Sequence, residues 1–178
     1  LGIPWPGYRR FPEINLRFYV RQGDRRGVVF IREYVPKRLI AWIARGLYNE
    51  PYVYAPMSSA VSTLDDRLQV VHELRVGGHV NRLRVIADAQ AERPAEESEA
   101  HFFKEHTWGY GRTRRGRLLT YEVRHPVWDT YPVRDVTLDW DFGAVYGPEW
   151  ADYNTIEPRS VFLAHGSEIA VAPKRVGD

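Results

Sequence analysis

Glu13-Ile14-Asn15-Leu16-Arg17-Phe18-Tyr19-Val20 alternates without a break: the even positions are apolar, and the odd ones are an acid, an amide, a guanidinium and a phenol. A period of two means a strand with one greasy face and one face carrying functional groups. What decides the fold is where that second face points. Toward water, Glu13, Asn15, Arg17 and Tyr19 are the solvated side of an antiparallel sheet, which is the usual outcome. Toward the inside of a barrel or cone, the same four side chains line a pocket. Composition alone favours water.

Outward from this strand, Gln22-Gly23-Asp24 reads as a turn and residues 27–34 as a second strand, so the pair forms a hairpin. Pro36 suits a first helical turn, and Leu39, Ile40, Ile43 and Leu47 recur at helical spacing through Tyr48. That helix is expected to cover the apolar face, with Ile14, Leu16, Phe18 and Val20 packed against Ile40 and Ile43. Residues 52–59, 68–76 and 80–89 read as further strands, with Gly77-Gly78 as the tight turn between the last two. Residues 91–98 are a loop, and Ser98 caps a short helix that begins with Glu99. Residues 118–123, 133–140, 161–164 and 169–172 close the chain as strands, with a turn or short helix over 142–146. The expected class is mainly β (α+β), a curved antiparallel sheet closing into a cone or half-open barrel with a few short helices, in a single domain over 1–178.

A chain of 178 residues can bury a core without staples. Twenty-five basic against twenty-three acidic side chains leave a net charge of +2, no footprint for nucleic acid. The basic run from Arg112 to Arg117 contains Gly116 and reads as a hairpin tip. Without cysteine there is no disulfide, thiolate metal site or cysteine nucleophile. No apolar run approaches the ~20 residues of a membrane helix, so a cytoplasmic protein without a membrane partner is expected. The six histidines show no paired zinc-helix spacing, no Gly-x-Ser-x-Gly elbow occurs, and Trp108-Gly109-Tyr110-Gly111 lacks the helix that would aim amides at a phosphate. Neither metal nor cofactor is expected.

Three segments stand above this background. They are the furnished strand; the stretch from Ala44-Arg45-Gly46 into Pro51-Tyr52-Val53-Tyr54-Ala55-Pro56-Met57; and the pair Glu105-His106-Thr107-Trp108-Gly109-Tyr110 and Tyr121-Glu122-Val123-Arg124-His125-Pro126-Val127-Trp128. Singly, their aromatics read as core and their histidines as structural. Convergence on one cavity would make them a site, because a buried acid, arginine and histidine shift one another's pKa values.

Phe11 to Val20, Gly27-Val28-Val29-Phe30, Ala44-Arg45 through Pro51-Tyr52-x-x-Ala55-x-Met57, Glu105-His106 with Tyr110, and His125-Pro126-x-Trp128 together resemble the YqjF-like family of the acetoacetate decarboxylase-like superfamily. The resemblance runs from about Gly2 to the Gly166-Ser167 turn. It implies the cone or barrel with a central cavity, which turns the furnished strand inward. It also implies a loss. The decarboxylases proper carry a lysine after the corresponding proline and form a Schiff base on it, whereas here Pro51 is followed by Tyr52 and Val53, and the only lysines are Lys37, Lys104 and Lys174. An imine needs an amine. Family members carry a further segment ahead of the position of Leu1, and without it an exposed sheet edge would invite pairing into a homo-oligomer.

The expected function is therefore binding of a small molecule in a central polar cavity, with any catalysis being lysine-independent acid–base chemistry on a small carboxylate or carbonyl compound. Glu13 would move a proton and Tyr52 would donate a hydrogen bond from the lost nucleophile's place. Asn15, Arg17, Tyr19, Arg45, Tyr54, Met57, His106 and His125 would bind the ligand, with Arg17 or Arg45 holding its anionic group and Arg45 paired with Glu13. The alternative is a non-catalytic structural or interaction domain whose cavity has closed over aromatic side chains. A pocket shared by Glu13, Arg17 and Tyr52 separates the two.

Overall fold

A computed structural model describes residues 11–43, 51–113, 115–167 and 170–176. The furnished stretch is β1 (Ile14–Gln22), which turns through Gly23 into β2 (Arg25–Val35), antiparallel from Gln22 opposite Arg25 to Ile14 opposite Tyr34. Gly23 sits at φ +58, which costs a glycine nothing. The register shifts once: Leu16 lies opposite Arg32 and Arg17 opposite Phe30, so Ile31 is a bulged extra residue in β2. A short helix α1 (Arg38–Ile43) follows; the expected remainder of that helix, with Arg45 and Leu47, lies outside the described residues.

Pro56 divides the next expected strand. β3 (Tyr52–Tyr54) runs parallel to β2, and β4 (Met57–Leu64) begins a separate meander with β5 (Arg67–Val76) and β6 (His79–Asp88). Gly77 and Gly78, at φ +60 and +83, make the two-residue turn read from the sequence. Ser98 caps α2 (Glu99–Lys104) by accepting from the amide of His101 at 3.1 Å. The chain continues through β7 (Trp108–Arg112), β8 (Leu118–Arg124), β9 (Thr130–Tyr131) and β10 (Val133–Asp139). Helix α3 (Phe142–Tyr146) is capped by Asp141 and followed by a 3-10 helix over Pro148–Thr155; β11 (Leu163–Ala164), β12 (Ala170–Val171) and β13 (Arg175–Val176) are two-residue strands.

The architecture is mostly β, as expected, but its largest sheet mixes parallel with antiparallel pairs and, among the described residues, no sheet closes into a barrel. One sheet has the order β1-β2-β7-β8-β12, with β3 also on β2 and β13 also on β8; β2 pairs in parallel with both β3 and β7. A second has the order β10-β6-β5-β4, and β9 pairs with β11. The two large sheets meet α3 in a core of Tyr34, Ala55, Leu74, Val145 and Tyr146.

That core corrects the expected packing of β1. Ile14 and Leu16 lie against the Tyr34–Val145–Tyr146 cluster, and the Phe18 ring meets Trp150 at 5.6 Å. The Ile14–Phe18 part of the apolar face of β1 therefore packs on α3 and the 3-10 helix, while α1 packs beside β2 and β3. Two bonds pin α3 there: the Val145 carbonyl accepts from the Tyr34 hydroxyl at 2.5 Å and from Arg32 at 2.8 Å, satisfying a helix-end acceptor. Asn81, 2% exposed, joins the second sheet to the same helix by accepting from the Asp141 amide at 2.8 Å.

Candidate functional site

The polar face of β1 is real, but it is long. Glu13 and Tyr19 are six residues apart on one face, about 20 Å along a strand. Its side chains therefore fall into two groups that no single small ligand spans. Glu13, Asn15 and Tyr52 form the first group. The Tyr52 hydroxyl donates to Glu13 at 3.2 Å, and Asn15 donates to the same carboxylate at 3.1 Å. Glu33, 3% exposed, stands opposite both Asn15 and Tyr52 in the strand register. Burial, followed by the charges of Glu13 and Glu33, drives the Tyr52 phenol far above its ordinary value. Tyr52 is thus a permanent hydrogen-bond donor and never a phenolate at physiological pH.

The second group sets Arg17 beside three predicted binding residues, Tyr19, His106 and His125, that wall two clefts. Arg17 lies with its guanidinium 5.3 Å from the Tyr19 ring centre, and the Tyr19 hydroxyl donates to the Phe103 carbonyl at 2.9 Å. His106 meets the Tyr19 ring edge-on at 6.0 Å. Behind it, His125 stacks on Trp128 at 4.3 Å, with its Nδ1 4.0 Å from a Glu105 carboxylate oxygen. A half-open cleft of about 260 Å³ is walled by Tyr19, Arg26, Phe102, Glu105 and His106, and a second of about 300 Å³ by Glu105, His106, Glu122, Arg124 and His125. Glu105 and His106 are the wall that the two clefts share.

The electrostatics of that wall follow from its members. Burial comes first, then the positive charge of Arg17 and the neighbouring His125, and together they push His106 down to about 4. The Phe103 carbonyl and Glu105 oppose this in part. At neutral pH His106 is a neutral imidazole, and its buried Nδ1 has no hydrogen-bond partner. Glu105 is held from the other side by Lys104, whose ammonium is 3.4 Å from it and donates to the Trp128 carbonyl at 2.5 Å.

In the unfolded chain His106 takes up a proton near its ordinary value of 6.5, but in the folded protein only near 4, so the unfolded state binds more protons between those values. Stability should therefore fall as pH drops from 6.5 to 4, by about 2 kcal/mol for this residue once partial exposure is allowed for. His72, lowered by burial, acts in the same direction, so the difference between proteins is the readout. His106→Gln should flatten urea-denaturation stability between pH 6.5 and 4 relative to the wild type; equal slopes would place the ring in water.

Other expected residues stand elsewhere. Met57 packs on the core cluster, and Tyr54 lies under the Arg38 guanidinium at 4.7 Å. Neither is among the residues that wall the two clefts. Arg45, with its expected pairing to Glu13, lies outside the described residues. Sequence reading assigned no role to Glu105, Lys104, Phe102, Arg26 or Glu33. Glu105 was legible, since it directly precedes His106; Glu33 was hidden inside a strand whose register depends on the Ile31 bulge. Among the described residues no group of three His, Asp or Glu is placed to hold a metal ion, and no helix is long and apolar enough to cross a membrane.

Fold and clefts define a β-rich protein built of one mixed and one antiparallel main sheet, with a charged and aromatic wall between two open concavities. The chain belongs to the DUF2071 family, described as an uncharacterized conserved protein, whose family model matches residues 1–168. It is similar to the uncharacterized protein YqjF of Bacillus subtilis (strain 168), 27% identical over 123 residues, which are 69% of this chain and 50% of that protein. The chain thus spans about half the length of the curated relative it matches. Among solved structures it is similar to the enduracididine biosynthesis enzyme MppR complexed with the condensation product of pyruvate and imidazole 4-carboxaldehyde, at 16% identity and a TM-score of 0.49, covering 93% of this chain and 61% of that one.

Proposed function

We propose that this protein binds a small carboxylate or carbonyl compound in the cleft between Tyr19 and His106. The observation that carries the reading is convergence: Arg17 and Tyr19 from β1, Glu105 from the end of α2 and His125 from the end of β8 meet around His106. A cleft of about 260 Å³ falls just below the usual range of ligand pockets, so the ligand is small. Arg17, which stands beside Tyr19 and His106 rather than in the cleft wall, offers a planar cation to an anionic group that reaches past the Tyr19 ring, and the aromatic walls of Tyr19 and Phe102 take the apolar part. His106, neutral and in the cleft wall, is the group suited to take a proton from the bound molecule, and Glu105 stabilises the imidazolium that forms. Imine chemistry is outside this reading: Tyr52 follows Pro51, and Lys104 is engaged by the Trp128 carbonyl and Glu105.

A second reading keeps acid–base work at Glu13 and Tyr52, favoured by their 3.2 Å hydrogen bond and by the elevated phenol. The non-catalytic alternative is favoured by a different observation: Tyr19, Phe102, Phe103 and Phe162 pack ring against ring at the cleft mouth. A thermal-shift panel of short keto acids and hydroxy acids separates the three. A ligand at a hundred times its dissociation constant adds about 2.7 kcal/mol, or ~5–10 °C for a domain of this size. The cleft reading expects such a shift to vanish in Arg17→Gln and persist in Tyr52→Phe. The opposite pattern would move the site to Glu13, and no shift with any acid would favour the interaction domain.

A further inference from the structure

We propose that β4 is a self-pairing edge, by which two copies of this chain join their four-stranded sheets into one eight-stranded sheet across a two-fold axis at Val61. The two edges of the sheet β10-β6-β5-β4 are built differently. On β10, Arg134, Asp135 and Asp139 put charges on the strand, Pro132 precedes it, and the register shifts between Val133 and Asp135. Those are the devices that stop an edge from recruiting another strand. Pro56 likewise precedes β4, but β4 has neither the charges nor the register shift. Its eight residues, Met-Ser-Ser-Ala-Val-Ser-Thr-Leu, carry no charge and no proline in a chain that is 27% charged, and they run in unbroken register with β5. Among the described residues β5 is its only partner, and every position from Ser58 to Leu64 is exposed.

The side-chain pattern selects the occupant. Val61 lies opposite Val70, which is 6% exposed, so Val61 is on the face turned toward the core; yet Val61 itself is 64% exposed. An antiparallel pairing of two copies about an axis normal to the sheet keeps both core faces on the same side and requires partners of equal parity. Centred on Val61, it sets valine beside valine and Ser59 beside Thr63 on the core face. On the other face it sets Ala60 beside Ser62 and Ser58 beside Leu64. Apolar pairs and hydroxyl pairs of this kind stabilise a sheet. The acids that close the strand, Asp65 and Asp66, fall opposite Met57 and Pro56 of the other copy, so no like charges face each other. A second copy is therefore an occupant that this edge accepts without repulsion.

The absence of cysteine makes the test direct, because any disulfide in a single-cysteine variant joins two copies. Val61→Cys places the thiols on the axis, at the separation of a directly opposed pair. Leu64→Cys is the control: Leu64 is more exposed, at 74%, but the two copies of it lie about 20 Å apart in this register. Under mild oxidation Val61→Cys should cross-link at least ~10-fold faster than Leu64→Cys. In sedimentation the wild type should run as a dimer, and Val61→Lys, which sets two ammonium groups face to face, as a folded monomer by circular dichroism. If Val61→Lys fails to fold, the cross-linking comparison and the wild-type mass still decide. A wild-type monomer at high concentration, as expected if the edge stays free or is covered by a segment of a longer parent chain, overturns the proposal. So does cross-linking of Leu64→Cys at an equal rate.

Discussion

Replacing Gly109 by alanine is expected to lower stability by about 3 kcal/mol, the upper end of the cost of overpacking a core. Gly109 lies opposite Tyr121 in the β7–β8 pair, and Tyr121 is 7% exposed. A Cβ added at Gly109 would stand 2.6 Å from the Tyr121 hydroxyl oxygen and closer still to the ring carbons. The ring lies over the glycine, and it is held there by Lys174 above it at 5.2 Å. On its other side Gly109 is paired with Val28, which is 1% exposed, so β7 cannot retreat. Denaturant unfolding of Gly109→Ala, Tyr121→Leu and the double variant checks the cause. If the clash is the cause, alanine should cost far less once the ring is gone; additive losses would assign the effect to the backbone instead.

The same glycine shows what the sequence could and could not reveal. Signals that act within a few residues were readable: the Gly77-Gly78 turn, the Ser98 cap and the β1–β2 hairpin each depend on neighbours in the chain. Trp108-Gly109-Tyr110-Gly111 was not readable as a strand, because glycine weakens strand propensity and its compensation comes from Tyr121 and from β2, some eighty residues earlier. The bulge at Ile31 and the choice of α3 rather than α1 to cover β1 are likewise tertiary decisions. For the site, alternation assigns Glu13, Asn15, Arg17 and Tyr19 to one face of β1, where Asn15 donates to Glu13. Alternation carries no information on curvature, and the strand's length separates Glu13 and Tyr52 from Arg17, Tyr19, His106 and His125.

Lys104→Met should prove the costlier change, about 3–5 kcal/mol, the range for breaking a buried pair by removing one partner. Two outcomes compete here. A lysine at a helix end ordinarily extends to water, and its loss then changes stability by no more than about 0.5 kcal/mol. Lys104 is instead 8% exposed, with its ammonium 2.5 Å from the Trp128 carbonyl and 3.4 Å from Glu105. Methionine keeps the stem and the packing but removes every donor. Among the described residues Glu105, whose side chain is 17% exposed, would then keep the His125 ring nitrogen at 4.0 Å and the neutral His106 beside it, and the Trp128 carbonyl would lose the donated bond. An unpaired carboxylate in that setting is the larger penalty, so neutralising it should return much of the loss. The measurement is a double-mutant cycle of Lys104→Met with Glu105→Gln, read by urea unfolding at pH 7. A coupling of about 1–3 kcal/mol, with the double variant more stable than Lys104→Met alone, is expected. Because Glu105 also walls both clefts, the double variant should lose the ligand-induced thermal shift while recovering stability. A double variant that regains stability and still responds to the ligand would mean that Glu105 serves the fold alone.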